Sequence, residues 1–119
     1  MTGAQTFDEL LDLRPPLADR YRALASVAIH ELPDGLAPVL RSRFATLHGL
    51  SAEPAAAVGE AQQRAVDFAE LFVIDPHAIT DELAADVARL FGEPGLVAIA
   101  SACAMLDSEM KLRRVMEVS

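Results

Sequence analysis

The sequence has one cysteine, no tryptophan and few aromatic residues of any kind. Cys103 has no partner in the chain, which excludes an internal disulfide, a CxxC redox motif and a zinc site built from several thiols. With one tyrosine and five phenylalanines, the interior must be filled by alanine, leucine and valine. Strand-forming β-branched and aromatic residues are sparse, which favours an all-α helical bundle over a sheet.

Basic residues are also in short supply: 10 Lys and Arg stand against 18 Asp and Glu, giving a net charge of −8 over 119 residues. Because an acidic surface repels phosphate backbones, we expect no nucleic-acid partner. The chain begins without a basic region followed by an apolar run, and its longest uncharged run, 94–106, is shorter than the about 20 residues of a membrane span. We therefore expect one domain over residues 1–119, a cytoplasmic location and no membrane partner.

Capping and proline signals divide the chain into about six helices. The predicted starts share a capping side chain or a proline in the first turn: Thr6 (with Glu9, a capping box), Pro15, Asp34, Ser51 (with Pro54), Thr80 and Pro94. The predicted ends share a glycine or proline signal: Gly49, Asp75-Pro76 and Gly92.

Two of these helices carry patterns that predict their surroundings. The second helix has its apolar residues on one stripe at helical spacing: Leu17, Tyr21, Leu24, Ala28 and Leu32. The last helix is apolar or small on every side from Leu96 to Leu106. A helix of this kind is buried all round, and a chain of this size has few places to bury it. We therefore expect a homo-oligomer that forms through the last helix.

The order of the signals also resembles one family, the alkylhydroperoxidase D-like and carboxymuconolactone decarboxylase-like helical proteins. The segments that carry the resemblance are Arg41-Ser42-Arg43-Phe44-Ala45-Thr46-Leu47-His48-Gly49, Phe68-Ala69-Glu70-Leu71, Asp75-Pro76-His77-Ala78-Ile79-Thr80-Asp81-Glu82, Leu90-Phe91-Gly92-Glu93 and Leu96-Val97. The similarity covers residues 36–118 and implies an all-α bundle of about six helices.

The positions where that family keeps its chemistry are occupied here by residues that cannot perform it. The two family cysteines fall on Leu50 and Glu53, the following histidine on Ala57 and the proton-relay glutamate on Pro38. Peroxide reduction by a cysteine pair needs one attacking and one resolving sulfur. The resemblance therefore implies a member without thiol peroxidase activity. The family's polar pair in the last helix falls on Asp107 and Lys111.

Three residues are candidate catalytic groups. Asp107 interrupts an apolar stripe, so its carboxylate must be paired, protonated or hydrated; it is either a general acid or base, or a salt-bridge partner of Lys111 or Arg114. His48, beside Gly49, is either an acid, base or ligand-binding group, or a surface histidine at a helix C-terminus. Glu53 is either a second carboxyl group beside His48 or a first-turn glutamate.

The other titratable candidates point away from metal and cofactor chemistry. His30 and His77 have no H-x-x-x-H or E-x-x-H spacing around them, so we expect no metal site. Cys103 lies in the most apolar segment, where burial is expected to raise the pKa of its thiol and make it a small buried hydrophobic residue. No phosphate-binding glycine motif occurs, and we expect no cofactor.

Two functions of different classes fit this sequence. In the first, an alkylhydroperoxidase D-like scaffold without the redox cysteines binds a small apolar organic molecule and catalyses a non-redox lyase, isomerase or cyclase step through His48, Glu53 or Asp107. In the second, the protein is a non-catalytic structural or interaction subunit whose apolar last helix serves oligomerisation. A deep cavity with converging titratable groups favours the first, and a solid interior favours the second.

Overall fold

The computed structural model describes residues 7–51 and 53–118, and this part of the chain is all-helical, which confirms the predicted all-α class. In chain order its elements are α1 (Phe7–Asp12), α2 (Pro15–His30), α3 (Leu36–Leu47), α4 (Gly59–Ile74), a 3-10 turn (Pro76–Ala78) and α5 (Asp81–Val118). α4 packs on α3 and α5, while α1, α2 and α3 also pack on α5. The last helix is therefore the element that every other helix contacts.

Within the described residues, α5 covers the predicted fifth and sixth helices. Two helical segments meet there at a kink at Gly92, whose backbone (φ 80, ψ 164) lies outside the helical region. This conformation is accessible to glycine because it has no Cβ. The predicted break at Gly92 and Pro94 is confirmed; with α5 counted as one kinked helix, the described residues form five helices where about six were predicted.

The other predicted helix boundaries have mixed outcomes. Thr80 caps α5 as expected, since its Oγ1 accepts the Leu83 N–H at 3.1 Å. Gly49 follows α3 in the left-handed conformation, with φ 73, which confirms the predicted end. Asp34 is not the cap of α3, because Gly35 (φ 79) precedes that helix and no side chain caps it. Thr6, the predicted cap of α1, lies outside the described residues.

The predicted start of α4 at Ser51, with Pro54 in its first turn, is wrong. The helix begins at Gly59, whose φ of 80 cannot continue a right-handed helix toward earlier residues. The preceding segment runs over α3 instead, and the backbone N–H of Ala55 donates to the Ser42 Oγ at 3.2 Å. Ala55 and Ala57 of this segment pack partly buried against the core, so tertiary contact replaces the helix that their propensity favours.

The core lies where α3, α4 and α5 meet. Its largest fully buried side chains come from α3 and α5 and are mainly aliphatic: Phe44, Leu36, Leu40, Ile99, Leu106, Val87 and Cys103. α4 contributes the buried Ala65, Val66, Phe68 and Ala69. From α2, Ala18 and the following Leu32 are buried, whereas Leu24 is 61% exposed. The prediction that Leu24 faces inward is therefore wrong, because α2 meets α5 through a different face.

The prediction that the last helix is buried all round is also wrong for a single chain. Val97 is 64% exposed, although Ile99, Ala102 and Cys103 are fully buried. By length and composition, one helix among the described residues, within Asp81–Met116, could cross a membrane: an 18-residue window of it has a mean hydropathy of 1.4 and is 22% buried. A helix at the centre of a water-soluble bundle meets the same criterion. α5 therefore combines a buried face with exposed apolar residues that no other described part of the chain covers.

Candidate functional site

Two of the predicted site residues, His48 and Asp107, lie in contact. Nε2 of His48 lies 2.9 Å from Oδ1 of Asp107, and Oδ2 of Asp107 lies 2.8 Å from the Lys111 Nζ. A carboxylate can only accept hydrogen bonds, so Nε2 carries the hydrogen and donates it. The salt bridge predicted between Asp107 and Lys111 is thus observed, and His48 is an additional partner.

Local sequence explains how His48 reaches this position. It is the residue after α3, its backbone N–H donates to the Phe44 carbonyl at 3.0 Å, and its side chain is directed toward the middle of α5. The imidazole is buried, with 8% of its surface exposed, whereas the Lys111 side chain is 64% exposed. Interpreting His48 as a surface histidine is therefore wrong, although its place at a helix C-terminus is confirmed.

The third predicted site residue does not join the pair. Glu53 is exposed in the segment between α3 and α4, outside the hydrogen bonds that His48 and Asp107 make with described residues. It is not a first-turn glutamate either, because α4 begins at Gly59. The chemistry available at this site is that of an imidazole oriented by one carboxylate, without a second carboxyl group.

Cys103 lies one helical turn before Asp107 on α5 and is fully buried. Burial, with a smaller contribution from the negative charge of Asp107, raises the pKa of the Cys103 thiol from 9.0 to about 12. A thiol with this pKa is neutral and unreactive at ordinary pH. The prediction of a buried, non-nucleophilic Cys103 is confirmed.

A second polar group, which sequence reasoning missed, surrounds Glu109 of α5. This carboxylate is buried and accepts three hydrogen bonds: from the Tyr21 hydroxyl at 3.1 Å, from Arg41 Nη1 at 3.3 Å and from Arg113 Nε at 3.2 Å. Burial first, and then the charge and hydrogen bond of Glu109, raise the pKa of Tyr21 from 10.0 to about 12, against the opposing effect of both arginines.

This Glu109 cluster joins α2, α3 and α5. Its only local sequence signal is the i, i+4 spacing of Glu109 and Arg113 on the final helix, a common surface pattern. Neither Tyr21 nor Arg41 is near them in sequence. The cluster follows from helix packing, which brings residues 88 and 68 positions apart into hydrogen-bonding distance of Glu109.

Two cavities border the Glu109 cluster. The larger, of about 460 Å³, is lined by residues of α1, α2, α3 and α5: Leu11, Tyr21, Arg22, Ala25, Ser26, Ile29, His30, Arg41, Glu109 and Arg113. The smaller, of about 230 Å³, lies beside α3, α5 and the segment after α3, and it shares Arg41, Glu109 and Arg113 with the first. We call the larger one the arginine cavity.

Two further concave regions lie elsewhere. One, of about 330 Å³, is bordered by α3, the segment before α4, and α4. The other is a groove of about 460 Å³ between α2 and α5, which we call the apolar groove; its lining residues are Leu24, Val27, Ala28, Glu31, Pro94, Val97, Ala98 and Ser101. His48 and Asp107 line none of these four regions.

Among residues 7–51 and 53–118, no group of three His, Cys, Asp or Glu side chains is arranged to hold a metal ion. No family model, curated protein or solved structure matches this chain. Its function therefore has to be argued from its own geometry.

Proposed function

We propose that this protein is a non-catalytic subunit that self-associates, with two copies packing through the apolar groove. The observation that carries this proposal is the concentration of exposed aliphatic side chains at one place: Leu24 and Val27 of α2 are 61% and 59% exposed, and Val97 of α5 is 64% exposed. Contiguous apolar surface of this kind is typical of interfaces.

The composition of the groove suits a second copy of the same chain. Glu31 is the one charged side chain in its lining, so two chains that each carry a net charge of −8 can approach there with little repulsion or loss of hydration. Ala28, Ala98 and Ser101 are small, which lets helices of the two copies come close. A twofold axis would place the same patch on both sides of the interface.

The catalytic alternative has less support. It would need a substrate to reach His48 and Asp107, but both side chains are largely buried, they line none of the four concave regions, and Glu53 lies apart from them. An imidazole–carboxylate pair that joins two helices and lines none of these four regions fits a structural role. We therefore propose that the His48–Asp107 contact stabilises the fold and takes no part in catalysis.

Sedimentation velocity and light scattering test the self-association. The unmodified protein should have a mass of about twice 12.7 kDa, and Val97→Glu should reduce it to one chain, because a buried carboxylate would lack a partner. Val58→Glu is the matched control, since Val58 is also exposed, at 77%, but lies outside the groove. A single-chain mass for the unmodified protein at every concentration would contradict the proposal, as would co-sedimentation with lipid vesicles that Val97→Glu abolishes.

We also propose that this chain shares the fold of the alkylhydroperoxidase D-like proteins. It is supported by the order of signals from residue 36 to residue 118, which α3, α4, the 3-10 turn and α5 carry in that sequence. An experimental structure whose helices superpose on a member of that family would support the kinship. A different path of the helices would contradict it.

A further inference from the structure

We propose that the arginine cavity is a binding site for a small carboxylate with an apolar tail. Its volume of about 460 Å³ lies within the range of natural small-molecule sites, which is about 300–1,000 Å³. It shares no lining residue with the apolar groove, so this proposal is independent of self-association. Three features of the cavity support this proposal: the charge of its lining, the hydrogen-bond donors of Arg41 and the apolar residues beside them.

The cavity gathers positive charge on an acidic chain. Three of the 10 basic residues of the protein line it, namely Arg22, Arg41 and Arg113, against the single carboxylate of Glu109. Asp12 pairs with Arg22 at 3.1 Å from outside the lining. The described side chains of the lining therefore carry a net positive charge, which attracts an anion into a concave site more strongly than onto a flat surface.

Arg41 is the residue best suited to hold the anion. It donates one hydrogen bond to a described residue, from Nη1 to Oε2 of Glu109 at 3.3 Å, whereas a guanidinium has five N–H donors. Its side chain is 43% exposed, so the remaining donors are accessible. Because the arginine fork matches the two oxygens of a carboxylate, a bidentate contact is available that a neutral ligand could not make.

The rest of the lining suits an aliphatic tail. Tyr21, Ala25 and Ile29 follow each other at four-residue spacing on one face of α2, and Leu11 of α1 lies beside them. Ala25, Ile29 and Leu11 are partly exposed in the unliganded chain, so a tail that covers them would remove apolar surface from water. Each methylene group that is fully covered would strengthen binding up to about fourfold.

Binding in the arginine cavity can be measured by the fluorescence of Tyr21. It is the only tyrosine in a chain without tryptophan, and it lines the cavity, so its fluorescence reports on this site alone. Sodium octanoate should produce a saturable change in that fluorescence, with hexanoate binding more weakly. Octanol and octylammonium, which keep the tail but lack the negative charge, should bind about tenfold more weakly than octanoate.

Substitutions inside and outside the lining test whether octanoate binds in the arginine cavity. Arg41→Gln should raise the octanoate Kd about tenfold by removing a charge-assisted contact, whereas Arg114→Gln, which removes an equal charge from an exposed residue outside the lining, should leave it unchanged. If circular dichroism shows that Arg41→Gln does not fold, Ala25→Leu replaces it, because a larger side chain fills the apolar part of the cavity and must weaken binding.

Three results would overturn the proposal: no saturable response to octanoate, equal affinity for octanol and octanoate, or an octanoate Kd that neither cavity variant changes. Loss of self-association in Val97→Glu with octanoate binding intact would leave this proposal standing. A monomeric unmodified protein that binds octanoate would support it while contradicting the proposed function.

Discussion

Nε2 of His48 lies 2.9 Å from Oδ1 of Asp107, and this contact joins the C-terminus of α3 to the middle of α5. The two residues are 59 positions apart. Because both side chains are largely buried, neither can exchange its partner for water without moving a helix. The contact therefore fixes the position of α3 along α5.

Removal of the imidazole should weaken the fold. His48→Gln is expected to lower the free energy of unfolding by about 1–3 kcal/mol, because it disturbs a buried charge-assisted hydrogen bond of Asp107. Urea unfolding followed by circular dichroism measures the change. His77→Gln is the matched control, since His77 is exposed in the 3-10 turn and should unfold like the unmodified protein. Equal effects of both substitutions would show that the contact of His48 with Asp107 does not stabilise the fold.

Cys103 should resist alkylation in the folded protein. A thiol pKa raised to about 12 from 9.0 lowers the thiolate fraction at pH 8 about a thousandfold relative to an unperturbed thiol. Iodoacetamide labelling followed by mass spectrometry should therefore be slow in buffer and rapid in denaturant. Fast labelling of the folded chain would show that the thiol is accessible and ionised.

Tyr21 should ionise late, and its absorbance at 295 nm reports it without interference because the chain has no other tyrosine and no tryptophan. A midpoint near pH 12 is expected in place of 10.0. Glu109→Gln should lower the midpoint, because it removes the negative charge that favours the neutral phenol. Glu93→Gln, at an exposed position on the same helix, should leave the midpoint unchanged.

The same two groups give a pH dependence of stability with a definite sign. The unfolded chain loses its thiol and phenol protons near pH 9 and pH 10, while the folded chain keeps them to about pH 12. Between these values the unfolded state binds fewer protons, so the free energy of unfolding falls as pH rises. Thermal unfolding from pH 8 to pH 11 should show this decline, and Tyr21→Phe combined with Cys103→Ala should reduce it.

Gly95→Ala should destabilise the protein, although alanine has a higher helix propensity than glycine. In a helix alanine is normally more stable than glycine by about 1 kcal/mol. Gly95 lies three residues after the kink at Gly92, and a Cβ there would lie 2.6 Å from the Cβ of Phe91. Gly95→Ala should therefore lower the free energy of unfolding by about 1–3 kcal/mol through overpacking. Ala104→Gly, at an exposed position of the same helix, calibrates the propensity effect in the same unfolding experiment.

Local signals predicted those parts of the fold that depend on a few neighbouring residues. Thr80 and Gly49 were identified from capping chemistry: Thr80 caps the start of α5 and Gly49 follows the end of α3, as predicted. The start of α4 was not identified, because Ala55 and its neighbours prefer a helix in isolation, and their extended path depends on contact with α3. Leu24 was assigned to the core from its spacing, but spacing alone does not show which side of a broadly apolar helix meets a neighbour.

In the candidate site, too, local sequence predicted single residues, whereas their contacts depend on helix packing. His48 and Asp107 were each identified as unusual from their own surroundings, yet their contact depends on how α3 lies against α5. Glu109 was missed because its i, i+4 partner, Arg113, makes it look like an ordinary surface pair. Its burial, and its hydrogen bonds from Tyr21 and Arg41, arise only when three helices assemble.

The segment that joins α3 to α4 has a consequence for handling the protein. Residues 50, 51 and 53–58 form neither helix nor strand, and their hydrogen bonds are few, such as those of Ala55 with Ser42 and Val58 with Gln62. Such segments open locally far more readily than helices do. A nonspecific protease should therefore nick the native chain here first, leaving an N-terminal piece that contains α1 to α3 and a C-terminal piece that contains α4 and α5.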